Sequence, residues 1–143
     1  KGQAGHSGTT LMENRKDALV VASKLIIFIN KLAKEISQKD NRHFVATVGK
    51  IEVSPNYVTI IPSDVEFIID LRVVNETSRD LFLNQLNKEI IKLKKLENLK
   101  INFLKPMVVT RKQQWEEGKS IFDSKYDNDI MFDGYIWSWS KNA

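Results

Sequence analysis

The first eight residues, KGQAGHSG, set one histidine, His6, among three glycines, a glutamine and a serine. An imidazole there can donate or accept a hydrogen bond, and its ordinary reading so near a chain end is a solvated surface group. Arg72 follows Asp70 by two residues on an alternating stretch. Its planar guanidinium suits a carboxylate, and its ordinary reading is a same-face ion pair with Asp70. Much other chemistry is missing. The second histidine, His43, lies far along the chain and opens a strand, so no role is assigned to it. There are no cysteines, which removes disulfides and thiolate metal sites. No H-x-D, H-E-x-x-H or Cys/His cluster occurs, glycines at 2, 5 and 8 fit neither phosphate-binding pattern, and no serine sits in G-x-S-x-G. By itself the sequence lacks the parts for metal hydrolysis or triad catalysis, and no metal ligands are assigned within it.

Composition bounds the rest. The 143 residues are 42% hydrophobic, enough for one domain with a real core. No apolar run reaches the ~18 residues of a membrane span, since Lys24 interrupts VVASKLIIFI, so no membrane partner is expected. The absence of cysteine fits a cytoplasmic location. The formal net charge is +4, and the lysines at 88, 92, 94 and 95 supply much of it. A solvated helix face is their ordinary reading, and a nucleic-acid footprint is the sharper one. An RNA-binding sheet of this kind would stack bases on aromatic side chains. The outward residues of the relevant strand are Glu66, Ile68, Asp70 and Arg72, none of them aromatic, so no nucleic acid is expected. The sequence opens on Lys1 rather than Met and reads as a piece of something longer.

The elements that must position His6 and Arg72 follow from periodicity. Residues 1–8 read as a short strand ending in glycines. Thr10-Leu-Met-Glu13 has capping-box form. Ala18, Ala22, Leu25, Ile29, Leu32 and Ile36 step by three and four, the stripe of an amphipathic helix stopping near Lys39-Asp-Asn-Arg42. HFVATVGKIEV, 43–53, reads as a strand with a bulge at Gly49, where the apolar parity changes. A short YVTII runs to the turn Pro62-Ser63-Asp64. VEFIIDLRVV then alternates, with Val65, Phe67, Ile69, Leu71 and Val73 inward. Thr77 or Ser78 can cap a second helix with Phe82, Leu86, Ile90 and Leu93 on its inner side. LKINFL, 99–104, reads as a last strand. The order predicts an α+β, ferredoxin-like βαββαβ sandwich: a four-stranded antiparallel sheet with two helices on one face. Residues 105–143 form a C-terminal extension carrying Trp115, Tyr126, Tyr135, Trp137 and Trp139, and GYIWSWS, 134–140, alternates as an added edge strand would.

GQAGHSGTT-M-x-x-R-x-DAL, VGKIEVSPN, IIP and EFIIDLR, in that order, resemble one family. They look like the dimerisation, or lid, domain of metallopeptidase-like amidohydrolases. Within that group they are most similar to the N-carbamoyl-L-amino-acid hydrolase, allantoate amidohydrolase and β-alanine synthase branch. The resemblance covers residues 1–104 and leaves 105–143 of unknown origin. It implies a homodimer, a separate catalytic domain holding two divalent metal ions such as zinc or manganese, and a small carboxylate-bearing substrate. It implies no cofactor in this chain, which would be inactive alone. The histidine matching His6 would reach into the partner subunit's site and polarise the scissile amide or ureido carbonyl. The arginine matching Arg72 would clamp the substrate carboxylate, and Gln3 would add a polar contact. Thr59 stands where the family usually has a substrate-binding asparagine, offering a shorter hydroxyl. Ser63 stands where the family usually has glycine; if that position needs a positive φ, serine costs about 1 kcal/mol. The alternative is a stand-alone ferredoxin-like binding and dimerisation module with no catalytic partner, a reading the aromatic-rich extension motivates.

Overall fold

Apolar residues stepping by three and four become the buried face of one helix, α1 (Ala18–Lys39), in the computed structural model. The structure describes residues 1–40, 43–101, 107–110 and 132–137. The helix does not start from the Thr10–Glu13 capping box. Met12–Asn14 forms a separate 3-10 turn, and extended backbone at Arg15 cuts it off from the helix. Asp17 is the cap instead: its Oδ1 accepts from the amides of Leu19 at 2.9 Å and Val20 at 3.2 Å. One carboxylate thus satisfies two amides that the helix leaves without partners. At the far end the Asp40 amide donates to Ile36 O at 2.8 Å, and the Asp40 carboxylate accepts from the Ser78 hydroxyl.

The two long strands, β1 (Phe44–Ser54) and β2 (Asp64–Val73), pair antiparallel from Phe44 opposite Val73 to Ser54 opposite Asp64. Their register shifts between Val48 and Lys50, so Gly49 is the extra residue of a bulge, as the parity change predicts. Across the bulge Val48 pairs with Ile69 and Ile51 with Phe67; Val48 packs against the core, whereas Ile51 is exposed. On β2, Phe67, Ile69, Leu71 and Val73 are buried, while Glu66, Ile68, Asp70 and Arg72 alternate with them, half-exposed. YVTII is not a strand; Ile60 alone pairs, by a single bridge to His6.

Helix α2 (Glu76–Glu97) is capped by Asn75, whose side chain accepts from the Thr77 amide at 3.0 Å. The cap therefore falls ahead of Thr77 and Ser78, and Ser78 turns its hydroxyl to Asp40 instead. Phe82, Leu86, Ile90 and Leu93 are buried as the spacing requires. Each such side chain contributes about 1.5–3 kcal/mol of transfer free energy. Phe82 is fully buried, its ring centroid 5.6 Å from that of Phe44 on β1. The helix ends on Asn98 in the left-handed conformation, φ 50°.

The class is α+β: two helices, their apolar faces sharing one core with the inward side of the antiparallel β1–β2 pair. The expected outer strands are not where periodicity put them. Residues 1–8 make only the His6–Ile60 bridge, because the chain turns at residues 7–9 before a ladder can form. Leu99 is buried but 99–101 is not strand, and residues 102–104 lie outside the described residues. Two short extended segments follow, β3 (Met107–Thr110) and β4 (Phe132–Trp137). Backbone pairing sets β4 antiparallel to β2, with Tyr135 opposite Asp70, and β3 antiparallel to β4. The remainder of 105–143, including Trp115, Tyr126 and Trp139, lies outside the described residues.

Candidate functional site

His6 sits at the start of a tight turn hung on the segment that leads into β2. Two backbone bonds hold it there: Ile61 N–H donates to Gly5 O at 2.8 Å, and Ser7 N–H donates to Thr59 O at 2.9 Å. The turn closes on itself, with the Thr9 and Thr10 amides both donating to His6 O. One step back, the Gly2 amide donates to Ser63 O at 2.6 Å and the Gln3 amide to Lys16 O at 2.8 Å. The His6 segment is thus laced between the β2 entry and the approach to α1.

The imidazole itself is exposed, and its orientation is set locally. The Gly8 amide donates to His6 Nδ1 at 3.0 Å. A neutral imidazole that accepts at Nδ1 carries its proton on Nε2, which is then the donor. A Cβ on Gly8 would stand 3.1 Å from His6 Cε1 and 3.3 Å from Nδ1, so the ring would have to give by a few tenths of an ångström. The turn is held from behind by Arg15, whose Nη2 donates to Ser7 O at 2.6 Å and whose Nε donates to Thr10 O at 3.1 Å.

Of the residues that sequence reasoning singled out, three gather here. Thr59 is exposed and bonded through its carbonyl to the Ser7 amide, beside His6. Gln3 is exposed on the same segment as His6. Arg72 is not with them. From Asp64 to Arg72 the strand rises about 26 Å, and Arg72 pairs in register with Val45, near the start of β1. As predicted it lies on the face away from the core, with Asp70 beside it: Arg72 Nε lies 3.2 Å and Nη2 3.1 Å from Asp70 Oδ2. Both side chains are about a third exposed, so the pair contributes roughly 0–1 kcal/mol. A ligand carboxylate at Arg72 would meet Asp70 as a competitor for the guanidinium. His43 takes no part in the His6 turn; its carbonyl accepts from the Val74 amide.

Ser63 carries no strain. Among the described residues the non-glycine positions with positive φ are Asn56 and Asn98. The Ser63 amide donates to Ser54 O at 3.0 Å and its hydroxyl to Asp64 Oδ2 at 2.8 Å. Sequence reasoning placed Arg15 within the family motif but gave it no role, and it missed the Gly8 amide. The available signal was an arginine in non-helical chain just after a turn of exposed carbonyls, since five N–H donors need acceptors.

No three His, Cys, Asp or Glu side chains converge among the described residues in a way that would hold a metal ion. Nor, among them, is any helix long and apolar enough to cross a membrane.

Comparison with known proteins gives a consistent picture. The family model for the peptidase dimerisation domain matches residues 1–97. An uncharacterised hydrolase of Haemophilus influenzae is 36% identical over 101 residues, 71% of this chain and 24% of that protein. An N-carbamoyl-L-amino-acid amidohydrolase of Paenarthrobacter aurescens is 36% identical over 87 residues, 61% of this chain and 20% of that enzyme. Among solved structures, AtUAH in complex with glyoxylate superposes with a TM-score of 0.64 at 29% identity, over 70% of this chain and 23% of that one. An amidase of the hydantoinase/carbamoylase family from Burkholderia multivorans gives 0.60 at 29% identity, over 69% of this chain and 23% of that one. The chain thus spans about a quarter or less of the length of these relatives.

Proposed function

The chain belongs to the peptidase dimerisation domain family, and from that premise we propose that it is the dimerisation and substrate-capping domain of a metal-dependent amidohydrolase. On this reading the lid domain is 1–104, ferredoxin-like in plan, with 105–143 appended. The enzyme cleaves an N-carbamoyl or ureido C–N bond of an amino-acid-like substrate, as a homodimer, in the cytoplasm. Relatives that act on N-carbamoyl-L-amino acids and allantoate support the substrate class. The described residues do not fit the paired divalent ions of such an enzyme. Those ions belong to the catalytic domain.

What this chain supplies is a donor and a clamp. His6 Nε2–H donates to the carbonyl oxygen of the scissile group as negative charge builds on it. A donor fixed before the reaction has no reorganisation left to do, so it favours the transition state over the ground state. Gln3 and Thr59 flank that oxygen with polar side chains. Arg72 binds the substrate carboxylate with a guanidinium edge. The His6 turn lies at the entry end of β2 and Arg72 near its exit end. One small molecule touched by both therefore draws them from two copies, which supports the in-trans role of His6.

The observation that carries this reading is the Gly8 amide on His6 Nδ1, which leaves Nε2–H exposed and poised to donate. The test is subunit complementation in the full-length protein that contains this domain. His6→Ala should cut turnover by about 10²–10³-fold, as for loss of one oxyanion donor. Mixed dimers then pair a His6→Ala subunit with a subunit inactivated at its metal centre. Recovery of activity places His6 in its neighbour's site. Wild-type turnover by the His6→Ala homodimer removes His6 from the reaction, and absence of recovery in the mixed dimer returns it to its own subunit.

A further inference from the structure

We propose that Arg15 is the positioning residue for His6, a guanidinium clamp that fixes the imidazole's tautomer and direction without touching substrate. The inference rests on the reading of His6 as the donor in the capped site. Its own ground is geometric. Arg15 reaches back across the 3-10 turn and donates from Nη2 to Ser7 O at 2.6 Å and from Nε to Thr10 O at 3.1 Å. Those two carbonyls bracket Gly8 and Thr9, the tip of the turn. Gly8 is the residue whose amide holds Nδ1.

The clamp acts on the one part of the turn that has little else to order it. Gly5, His6 and Ser7 are fixed by backbone bonds to 59–61, and Thr9 and Thr10 by their amides on His6 O. Gly8 has no side chain, and its amide is spent on the ring it must orient. If Gly8 moves, Nδ1 loses its donor and the proton is free to sit on either nitrogen. The Ser7 C=O and the Gly8 N–H share one peptide plane, so pinning Ser7 O fixes that plane, and the bond to Thr10 O fixes the far side of the tip. Two carbonyls at fixed spacing need two donors at fixed spacing. Nε and Nη2 on one edge of a rigid plane provide that; a lysine ammonium on a flexible stem does not. The bonds are to neutral carbonyls and the side chain is half-buried. Arg15 therefore acts through geometry rather than by presenting charge to a ligand.

The test uses the full-length protein, with Arg15→Lys and Arg15→Ala made in the wild-type and in the His6→Ala background. A misplaced catalytic group loses up to about a hundredfold in rate, so Arg15→Ala should lower kcat by roughly 10–100-fold with KM little changed. In the His6→Ala background the same change should cost less than about twofold, because the group it positions is gone. Added guanidinium should restore part of the rate and ammonium should not. In histidine-labelled protein the His6 ring nitrogens should report the Nε2–H tautomer in wild type and an averaged pair in Arg15→Ala. Where Arg15→Ala fails to fold, Arg15→Lys carries the same comparisons. Equal loss in both backgrounds, or ring nitrogens unchanged by either substitution, overturns the clamp. Undiminished turnover by His6→Ala alone would sink the donor role instead, and the ring nitrogens would still decide whether Arg15 sets the tautomer.

Discussion

Replacing Gly2 by alanine puts a number on the seam that holds the His6 segment in place. A Cβ on Gly2 would sit 1.9 Å from Lys16 O, 2.9 Å from Lys16 C and 3.0 Å from Ala18 N. Ordinary contact begins at 3.4 Å, so the backbone must part by about 1.5 Å. The atoms in the way are main chain and cannot swing aside as a flexible side chain would. Three hydrogen bonds cross this seam: Gly2 N–H to Ser63 O, Gln3 N–H to Lys16 O, and Ala18 N–H to Pro62 O at 3.1 Å. Losing two of them costs about 1–3 kcal/mol at 0.5–1.5 each. Alanine returns about 0.4–1 kcal/mol by restricting the unfolded chain. Combined at mid-range, these leave a destabilisation of about 1.3 kcal/mol. Urea unfolding of the purified chain should show a lower midpoint at unchanged slope; at a slope of about 2 kcal/mol/M the drop is between half and one molar. Gly49→Ala is the control. Nothing lies within 4 Å of its Cβ, and its stability should stay within about 0.5 kcal/mol of wild type. If Gly2→Ala also stays within about 0.5 kcal/mol, or if both variants fall equally, close approach at Gly2 does not govern the seam.

Three further outcomes follow from the same structure. Asp17→Ala should destabilise by about 1 kcal/mol through loss of both cap bonds, whereas exposed Glu13→Ala should change stability by under about 0.5 kcal/mol; thermal melts that reverse this order would restore the Thr10–Glu13 capping box. Phe82→Ala should cost about 3–5 kcal/mol, since a fully buried ring in contact with Phe44 leaves a cavity; a loss below about 1 kcal/mol in denaturant would mean the core collapses around the gap. In the full-length protein Arg72→Lys should raise KM for carboxylate substrates by about tenfold, because a point charge replaces a two-pronged donor; an unchanged KM in initial-rate measurements clears Arg72 of the clamp.

The helices and the long strands were legible because their signal is periodic and locally complete. Phe82, Leu86, Ile90 and Leu93 needed only their spacing, and Gly49 betrayed the bulge by breaking parity. Caps were less legible. Thr10 and Glu13 satisfy a local rule, yet Asp17 satisfies it one residue before the true start and captures two amides at once. The N-terminal strand stopped at one bridge to Ile60 because the chain turns at residues 7–9, which the glycine-rich composition alone did not place. At the site, composition flagged His6 through its glycine-rich setting, while Thr59 and Gln3 came from family resemblance alone. The alternation of β2 put Arg72 on the open face and Asp70 beside it. Nothing in either stretch revealed that Arg72 and the His6 turn stand near opposite ends of β2, since that follows from which main-chain groups meet. Arg15 stood in the family motif, but its role stayed hidden because its partners are carbonyls, which every residue possesses.

The bond from Ser7 to residue 59 passes through a peptide oxygen, and the threonine side chain takes no part in it. Replacing the threonine side chain therefore leaves that bond's acceptor in place. Scaffold and substituent are separately adjustable there: on the proposed function, a lineage can exchange the side chain at residue 59 that meets substrate and keep its histidine aimed. Directed evolution toward new substrates would do well to begin at this codon.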